Sequence, residues 1–457
     1  MTVVSGEIKP PRRARAEISP GNMNRLQAKD RAAHDWYRFV LSFPPHLVSD
    51  YLHKFGVGRD ELVLDPFCGT GTTLVECKKH CIASIGVEAN PMAHFASTVK
   101  TTWKLSSEAL FGTADEIAHA ARERLEADGL PDDHNLPLFG KPRHSAQVEL
   151  RRLPVEKAKL LLRDSISPVP LHKVLVLLDQ IDQTAGALEE RSFLRVALAS
   201  ALVQSIGNLH FGPEVGVGPT KHDVAVVAQW LERVHSISRD LQNLQPYRNV
   251  PATVMHGDAR SLAGLGDVLG KRRISAVITS PPYPNEKDYT RTTRLESVLL
   301  GFISDKAELQ GFKRTLMRSN TRNVYKGDDD GLWVASSATV QNLVSRIESR
   351  RLELGKTSGF ERMYGKVAEL YFGGMSRHLA TLRPFLKPGA QLAYVVGDQA
   401  SFFQVMIRTG TILAELAESL GYEVIGLDLF RTRLATATRQ QLREEVLVLR
   451  WPGDKTR

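Results

Sequence analysis

Two adjacent prolines follow a Thr-Ser pair and precede a tyrosine in the segment ITSPPYPNEKDY, residues 278–289. Neither Pro281 nor Pro282 has a backbone N–H, so this corner offers carbonyl oxygens and the Ser280 hydroxyl but few donors. Tyr283 adds a flat ring on which a planar substrate can stack. The groups suit a nucleobase flipped out of its helix, because the two hydrogens of an exocyclic amino group need acceptors. A plain surface turn is the alternative interpretation.

A glycine-rich turn, DPFCGTG at residues 65–71, follows a predicted strand and opens a predicted helix. Gly69 and Gly71 permit backbone conformations that are closed to other residues, and they let a ligand approach the main chain. Glu88 lies nineteen residues after Gly69, at the end of the next predicted strand, where an acid accepts hydrogen bonds from ribose hydroxyls. The pattern predicts an adenosine-type ligand, with a tight turn that binds nothing as the alternative.

The charge of this turn narrows the class of ligand. No Lys-Ser/Thr pair follows the glycines, which disfavours an ATPase. Asp65 would repel a phosphate but pair with an ammonium group, which S-adenosylmethionine carries. In the segment HGDA, Asp258 ends a predicted strand and could accept the adenine amino group, although an aspartate there is often a helix cap.

The elements around these turns predict an α/β fold. The strands ELVLD and CIASIGVEA flank the helix TTLVECKKH, and strand-helix alternation resumes at ATVMHGDARSL. The last two predicted strands, YEVIGLDLF and EEVLVLRW, have no helix between them, which suits an antiparallel hairpin at a sheet edge. Residues 104–250 read as a series of amphipathic helices, too long for a loop, and predict an all-helical insertion.

A second insertion, residues 304–360, contains the basic stretch FKRTLMRSNTRNVYKG. Lys and Arg can neutralise phosphates, and Arg and Asn can read base edges, so the stretch predicts DNA contact. A solvated basic loop, partly cancelled by the following DDD, is the alternative. Weaker candidates for DNA contact are residues 211–219 and 430–439. The predicted nucleic-acid-binding residues are Lys313, Arg314, Arg318, Arg322 and Lys326.

Composition sets outer limits on these predictions. The 457 residues, 42% hydrophobic and 24% charged, predict one large core with insertions or two domains. The formal net charge of +9 is compatible with a polyanionic partner, and also with a merely basic surface. No apolar segment resembles a signal peptide or a membrane span, so we expect a cytoplasmic protein that associates with the nucleoid through DNA.

The three cysteines, Cys68, Cys77 and Cys81, fall within fourteen residues of one another. The odd number of cysteines and their clustering disfavour a disulfide framework and indicate a reducing compartment. Without a second ligand cluster we expect no metal site, and we interpret Cys77 and Cys81 as small helix-packing residues.

Three motifs resemble those of the DNA amino-methyltransferases. DPFCGTG is similar to their cofactor motif, TSPPY to their catalytic motif, and SFPPHLV, residues 42–48, to the segment that closes over the methionine part of the cofactor. The resemblance covers residues 34–98, 252–303 and 365–450. The Ser form of the catalytic motif is more often associated with N4-cytosine methylation, whereas N6-adenine enzymes more often carry Asp or Asn at position 280.

The resemblance implies a Rossmann-like class I methyltransferase fold: a mostly parallel seven-stranded sheet with an antiparallel last strand, plus a large helical insertion. That insertion precedes HGDA rather than following it, which leaves open its correspondence to the family's recognition domain. The implied divisions are a basic flexible tail at 1–22, a cofactor half at 23–103, the helical insertion at 104–250 as a target-recognition subdomain, a catalytic half at 251–303, a basic DNA-contacting insertion at 304–360, and C-terminal strands at 361–457.

The resemblance also implies a site and a mechanism. The Ser280 hydroxyl and the Pro281 carbonyl would hold the amino hydrogens while the nitrogen attacks the methyl of S-adenosylmethionine in line, accelerated mainly by positioning. C5-cytosine methylation would need a Pro-Cys nucleophile, and no cysteine follows Cys81. The expected catalytic residues are Ser280, Pro281, Pro282 and Tyr283, and the expected cofactor-binding residues are Asp65, Phe67, Cys68, Gly69, Thr70, Gly71, Thr72, Thr73, Glu88, Asp258, Ala259, Pro44 and Pro45.

We therefore expect a site-specific DNA methyltransferase acting on the N4 amino group of cytosine. N6-adenine methylation of DNA is the first alternative, and amino-methylation of structured RNA is a weaker one because no RNA-binding module is recognisable. A cofactor-binding protein without activity is disfavoured because both motifs are intact. DNA is the expected partner, together with companion restriction or defence proteins, and no membrane or metal is expected.

Overall fold

The computed structural model describes residues 26–38, 42–132, 148–184, 186–211, 215–285, 287–434 and 441–453. The predicted basic tail, residues 1–22, lies outside these ranges. Parts of both weaker DNA-contact candidates, residues 212–214 and 435–439, lie outside them as well.

The strands of the described chain form one large sheet and one short hairpin. In chain order they are β1 Leu62–Asp65, β2 Ala83–Glu88, β3 Leu209–Phe211, β4 Val215–Val217, β5 Ala252–His256, β6 Ile274–Thr279, β7 Leu386–Gly397, β8 Glu423–Leu434 and β9 Gln441–Arg450. The large sheet has seven strands in the order β5-β2-β1-β6-β7-β9-β8, and β3 pairs with β4.

All neighbouring pairs from β5 to β7 are parallel, and β9 is antiparallel to both of its neighbours. The expected α/β Rossmann-like sheet with an antiparallel last strand is thus confirmed. The hairpin predicted for the chain end also forms, with β9 inserted between β7 and β8, so that β8 is the edge strand.

The α-helices of the described chain alternate with the sheet strands and fill the two insertions. They are α1 Arg31–His34, α2 Pro45–Lys54, α3 Thr72–Lys79, α4 Pro91–Thr101, α5 Ser107–Ala127, α6 Val155–Ala158, α7 Pro168–Thr184, α8 Leu188–Ala201, α9 Val226–Leu244, α10 Leu265–Leu269, α11 Tyr289–Thr292, α12 Arg294–Leu299, α13 Lys306–Thr315, α14 Ala338–Glu353, α15 Tyr364–Leu382 and α16 Thr409–Ser419.

The central strands are buried on both faces, as a parallel sheet covered by helices requires. Every residue of β1 and β6 is buried. Because successive side chains of a strand point to opposite faces, Val63 packs with α2 and α3, whereas Leu64 packs in a second cluster with α15 and α16. Two hydrophobic layers therefore fix the sheet between helices.

The helices of residues 104–250 share a third hydrophobic cluster with α1 and α4 of the cofactor half. Trp230 of α9 and Trp103 are both fully buried in it. The expectation of an all-helical insertion is wrong in one detail, since β3 and β4 form an antiparallel hairpin within it. The three-residue runs LHF and VGV are too short to show strand periodicity in the sequence.

This topology brings the two sequence motifs together. β1, β2, β5 and β6 are neighbours with parallel directions, so their carboxyl ends lie at one edge of the sheet. Asp65 ends β1, Glu88 ends β2 and Thr279 ends β6. Ligands of open α/β sheets bind at this edge.

Candidate active site

A cavity of about 650 Å³ lies at the carboxyl ends of these strands. Its wall includes residues from the glycine turn, from the proline corner, from HGDA and from the segment before α2. The predicted residues that line it are Pro44, Phe67, Cys68, Gly69, Thr70, Thr72, Glu88, Asp258, Ala259, Ser280, Pro281, Pro282 and Tyr283.

Four predicted cofactor residues lie behind this wall: Pro45, Asp65, Gly71 and Thr73. Pro45 begins α2, a position that suits its fixed φ and missing N–H. The Thr73 hydroxyl donates to the Ile278 carbonyl at 3.1 Å, which ties α3 to β6. These contacts organise the wall from behind.

Asp65 is fully buried at the end of β1. Its Oδ1 accepts hydrogen bonds from the Phe67 N–H at 3.1 Å and the Thr279 hydroxyl at 2.6 Å. Its Oδ2 is buried without a hydrogen-bond partner among the described residues. Burial raises the pKa of this carboxyl to about 6. An orphaned buried carboxylate oxygen is a costly feature that a cationic ligand group would compensate.

The two glycines of the turn both have left-handed backbone, with φ of +52° at Gly69 and +82° at Gly71. A Cβ on Gly69 would have no neighbour within 4 Å, so its main chain faces open space in the cavity wall. A Cβ on Gly71 would meet Ser97 of α4 at 2.6 Å. Gly69 thus exposes main chain to a ligand, and Gly71 allows two helices to approach closely.

Glu88 closes the turn from the neighbouring strand. Its Oε2 accepts the Gly69 N–H and its Oε1 the Asn90 N–H, both at 2.7 Å. Burial raises the pKa of Glu88 to about 7, and the nearby Asp65 acts in the same direction. The remaining lone pairs are available to accept vicinal hydroxyls, and this role of Glu88 stays a prediction from its spacing to Gly69.

The proline corner faces the same cavity. The Ser280 hydroxyl donates its hydrogen to the Val395 carbonyl on β7 at 3.2 Å. Since a hydroxyl has one hydrogen, Ser280 Oγ can act only as an acceptor toward the cavity while this bond is made. The Tyr283 ring packs on β7, where a Cβ on Gly397 would lie 3.0 Å from it. Burial raises the pKa of Tyr283, so its phenol stays neutral.

Asp258 of HGDA is held by an arginine that the sequence analysis did not single out. The Asp258 Oδ2 accepts from Arg260 Nη2 at 2.7 Å, and both of its oxygens accept from Nε at 3.0 and 3.1 Å. The Ala259 carbonyl accepts from His378 Nδ1 at 2.7 Å. The spacing of two residues between Asp258 and Arg260 was visible in the sequence, whereas the contact with α15 was not.

The five predicted nucleic-acid-binding residues do not form one exposed set. Lys313 pairs with Asp288 at 3.0 Å, and the buried Arg318 pairs with Asp328 at 2.7 Å. The other three side chains are exposed, and two of them stack on rings, at 5.2 Å between Arg314 and Tyr325 and at 5.4 Å between Arg322 and Phe360. The predicted residues that can reach a phosphate without breaking a buried ion pair are Arg314, Arg322 and Lys326.

Further cavity residues come from segments that the sequence analysis did not place at the cofactor or catalytic site. Arg431 Nε donates to Glu444 Oε2 at 2.5 Å across β8 and β9, and Glu444 packs on Gly397 beside Tyr283. The segment 430–439 signalled this region only as a basic run. The unassigned residues include Thr315, Leu316, Met317, Gln399, Ser401, Phe430, Arg431, Arg433 and Glu444.

The donor set fits S-adenosylmethionine. Glu88 and Asp258 are carboxylates in the cavity wall whose lone pairs suit ribose hydroxyls and an adenine amino group, and Asp65 adds a buried carboxylate oxygen without a hydrogen-bond partner among the described residues. Burial raises the pKa of the Cys68 thiol, which therefore contributes a neutral wall. Within the described ranges, no group of three or more His, Cys, Asp or Glu side chains could hold a metal ion, and no helix is long and apolar enough to cross a membrane.

Comparison with known proteins agrees with this donor set. A family model described as DNA methylase, of the N6/N4 type, matches residues 19–97, which include the glycine turn and Glu88. Among curated proteins, the Type II methyltransferase M.BsoBI of Geobacillus stearothermophilus is 24% identical over 447 residues, covering 90% of this chain and 83% of that protein.

Two other relatives also align over most of their length. The Type II methyltransferase M.AvaI of Anabaena variabilis is 23% identical over 449 residues, covering 93% of this chain and 87% of that protein. The Type II methyltransferase M.MvaI of Kocuria varians is 23% identical over 409 residues, covering 84% of this chain and 80% of that protein. An alignment that covers 93% of this chain includes both motifs, whereas the family model ends at residue 97, before the proline corner.

Proposed function

Since this chain belongs to the N4/N6 DNA methyltransferase family, whose members use S-adenosylmethionine, we propose that it methylates the exocyclic N4 amino group of cytosine in DNA. The alternative is the N6 amino group of adenine. Either base has to leave the duplex, because a stacked and paired amino group cannot enter a cavity at the sheet edge.

The observation that carries this proposal is the hydrogen bond from Ser280 to the Val395 carbonyl. This bond uses the only hydrogen of the hydroxyl, so Ser280 Oγ can act only as a hydrogen-bond acceptor toward the cavity. Pro281 and Pro282 add carbonyls without N–H groups. The corner is therefore an acceptor site, and it faces the same cavity as Gly69 and Glu88.

The amino nitrogen of a nucleobase is a poor nucleophile because its lone pair is delocalised into the ring. Ser280 Oγ and the Pro281 carbonyl would accept its two hydrogens and hold the nitrogen toward tetrahedral geometry. The Tyr283 ring would fix the plane of the base by stacking. Positioning and fixed dipoles of this kind supply acceleration without a covalent intermediate.

When bound, S-adenosylmethionine supplies an electrophilic methyl group on a sulfonium. The residues proposed to hold it are Glu88 at the ribose, Asp258 at the adenine amino group and Asp65 at the ammonium end. Pro44, with Ser42 and Phe43, closes the wall before α2. Within the glycine turn, Gly69 contributes main chain rather than a side chain to this surface.

We favour cytosine as the target because position 280 carries serine, the form of the motif that the resemblance associates with N4-cytosine methylation, rather than Asp or Asn. Cytosine N4 beside N3 nevertheless presents nearly the same edge as adenine N6 beside N1. The exposed cations Arg314, Arg322 and Lys326 are proposed to bind the DNA backbone. Because the relatives are Type II methyltransferases, we also propose that the chain protects a short recognition sequence against a companion endonuclease.

Nucleoside mass spectrometry tests this function. Plasmid DNA and total RNA are digested from cells that express the wild type or the Ser280→Ala variant. N4-methylcytosine in DNA from wild-type cells alone is the expected result. N6-methyladenine instead would retain the mechanism and reject the proposed base, a mark confined to RNA would reject DNA as the substrate, and the absence of any mark on DNA carrying the recognition sequence would reject the activity.

A further inference from the structure

Arg260 is a buried arginine whose guanidinium bonds three partners at once. Nε and Nη2 form a fork on the Asp258 carboxylate, Nη1 donates to Asp330 Oδ2 at 2.6 Å, and Nη2 also donates to the Arg314 carbonyl at 2.8 Å. Asp258 lines the cavity, whereas Asp330 and Arg314 belong to the basic insertion. The Arg260 guanidinium therefore links Asp258, a predicted cofactor-binding residue, to the basic insertion.

Two adjacent glycines in α15, Gly373 and Gly374, leave room for Asp330 to pack closely against the helix. A Cβ on Gly373 would overlap the Asp330 carbonyl oxygen, and a Cβ on Gly374 would lie 3.3 Å from Asp330 Oδ2 and 3.4 Å from Arg260 Cδ. Arg377, one turn further along α15, donates to Asp330 Oδ1 at 3.2 Å. The Asp330 carboxylate is thus buried and bonded to two guanidinium groups, those of Arg260 and Arg377.

The same arginine shapes a second part of the cavity wall. The Arg314 carbonyl lies in the last turn of α13, and Arg318 also donates to it at 3.2 Å. Thr315, Leu316 and Met317 follow directly and line the cavity. Arg260 therefore fixes both the acceptor at Asp258 and the start of this wall.

We propose that Arg260 and Asp330 are a positioning pair, which aims the Asp258 carboxylate at the adenine amino group of S-adenosylmethionine. The proposal rests on the proposed function, in which Asp258 accepts that group. A carboxylate gripped by a guanidinium fork has one orientation, and the fork is itself fixed by Asp330. Neither residue of the pair needs to touch the cofactor.

Two ligands that differ only at the adenine amino group provide the readout. S-adenosylhomocysteine carries the amino group, and its 6-deamino purine analogue lacks it. Isothermal titration calorimetry gives a dissociation constant for each, and their ratio reports the hydrogen bond to Asp258. In the wild type we expect S-adenosylhomocysteine to bind at least about tenfold more tightly, the value of a hydrogen bond to a charged group.

Two variants test the pair without removing Asp258. Arg260→Lys keeps the charge and loses the planar fork, and Asp330→Asn keeps the shape and loses the charge. Both are expected to bring the ratio to within about threefold of unity. Asp329→Asn is the matched control, because that neighbouring carboxylate is 70% exposed and lies 3.6 Å from Arg377. It should leave the ratio unchanged.

The outcomes separate this proposal from the proposed function. If Asp258→Ala leaves the wild-type ratio intact, Asp258 does not bind adenine and the cofactor placement fails. If Asp258→Ala brings the ratio to unity while Arg260→Lys and Asp330→Asn keep the wild-type ratio, the positioning pair is rejected and the placement of the cofactor is retained. Equal weakening of both ligands in those two variants would show a merely structural role and would also overturn the proposal. Should Arg260→Lys not fold, the isosteric Asp330→Asn decides.

Discussion

A β-carbon on Gly71 would lie 2.6 Å from the hydroxyl oxygen of Ser97. Gly71 also has a φ of +82°, which side chains other than glycine rarely adopt. We expect Gly71→Ala to lose about 1–2 kcal/mol of unfolding free energy from backbone strain alone and more from the steric overlap. Urea denaturation followed by circular dichroism measures this loss.

Gly69→Ala is the matched control for that substitution. Gly69 shares the left-handed backbone, with a φ of +52°, but an added Cβ would meet nothing within 4 Å. Gly69→Ala should lose only the unfolding free energy that backbone strain costs. Adding Ser97→Ala to Gly71→Ala should recover part of the unfolding free energy that Gly71→Ala loses. Equal losses in Gly69→Ala and Gly71→Ala would contradict the close approach of α3 and α4.

The glycine turn could be predicted because its signal is local. The residues of DPFCGTG are contiguous, and Glu88 follows at a fixed spacing through one βαβ unit. The proline corner was equally readable, and strand alternation predicted the sheet that unites the two motifs. The wall residues of β8 and β9 were not readable, because the insertion of β9 between β7 and β8 depends on pairings far apart in the chain.

The ion pairs of the basic insertion could not be predicted from the sequence either. The sequence presents Lys313 and Arg318 as equivalent to Arg322, yet both form ion pairs inside the protein. Arg260 was not singled out at all, since its partner Asp330 is seventy residues away. Composition counts cations, but only the fold decides which of them are already paired.

Ser280→Ala should reduce turnover and leave cofactor binding intact. The substitution removes an acceptor for the amino hydrogens, and losing one positioned polar group of this kind costs a factor of about 10²–10³ in kcat. Calorimetry with S-adenosylhomocysteine should give the wild-type dissociation constant. Ser401→Ala, in the same cavity wall but outside the corner, is the control and should retain most activity. A kcat for Ser280→Ala within about twofold of wild type would exclude the acceptor role.

Glu88 gives the unfolding free energy a defined dependence on pH. Burial raises its pKa from 4.5 to about 7, so between these values the native state keeps a proton that the unfolded state has lost. The contribution of Glu88 to stability is therefore present below about pH 4.5, falls as the pH rises and is lost above about pH 7. Glu88→Gln cannot titrate, and its stability relative to wild type should rise through this window.

Urea denaturation of both proteins between about pH 5 and 8 measures that difference. The buried neutral His34 and His378, whose pKa values burial lowers to about 3 and about 4, act in the opposite direction but are common to both proteins. A pH-independent difference for Glu88→Gln would mean that the native carboxyl titrates normally.

Two classes of basic residue in the insertion should behave differently toward DNA. Arg322→Ala or Lys326→Ala should weaken binding and reduce the slope of log affinity against log salt concentration by about 0.9, the value of one phosphate contact. Arg318→Ala should instead destabilise the fold. The substitution leaves the Asp328 carboxylate without its cationic partner and removes the side chain that caps the C-terminal end of α13. Fluorescence anisotropy across a salt series, with thermal unfolding alongside, separates the two. Unchanged salt slopes for both exposed variants would contradict DNA contact by this stretch.

Gly373→Ala should destabilise the protein even though alanine favours helix formation. Gly373 lies within α15, and an added Cβ would overlap the Asp330 carbonyl oxygen, a main-chain atom that cannot rotate away. Gly112 of α5 has nothing within 4 Å of the same position, so Gly112→Ala should gain up to about 1 kcal/mol of unfolding free energy. Urea denaturation of the two variants tests opposite signs for one chemical change. If Gly373→Ala also gained stability, the 3₁₀ turn at Asp330 would not pack on α15 as described, and the geometry that holds Arg260 would be lost with it.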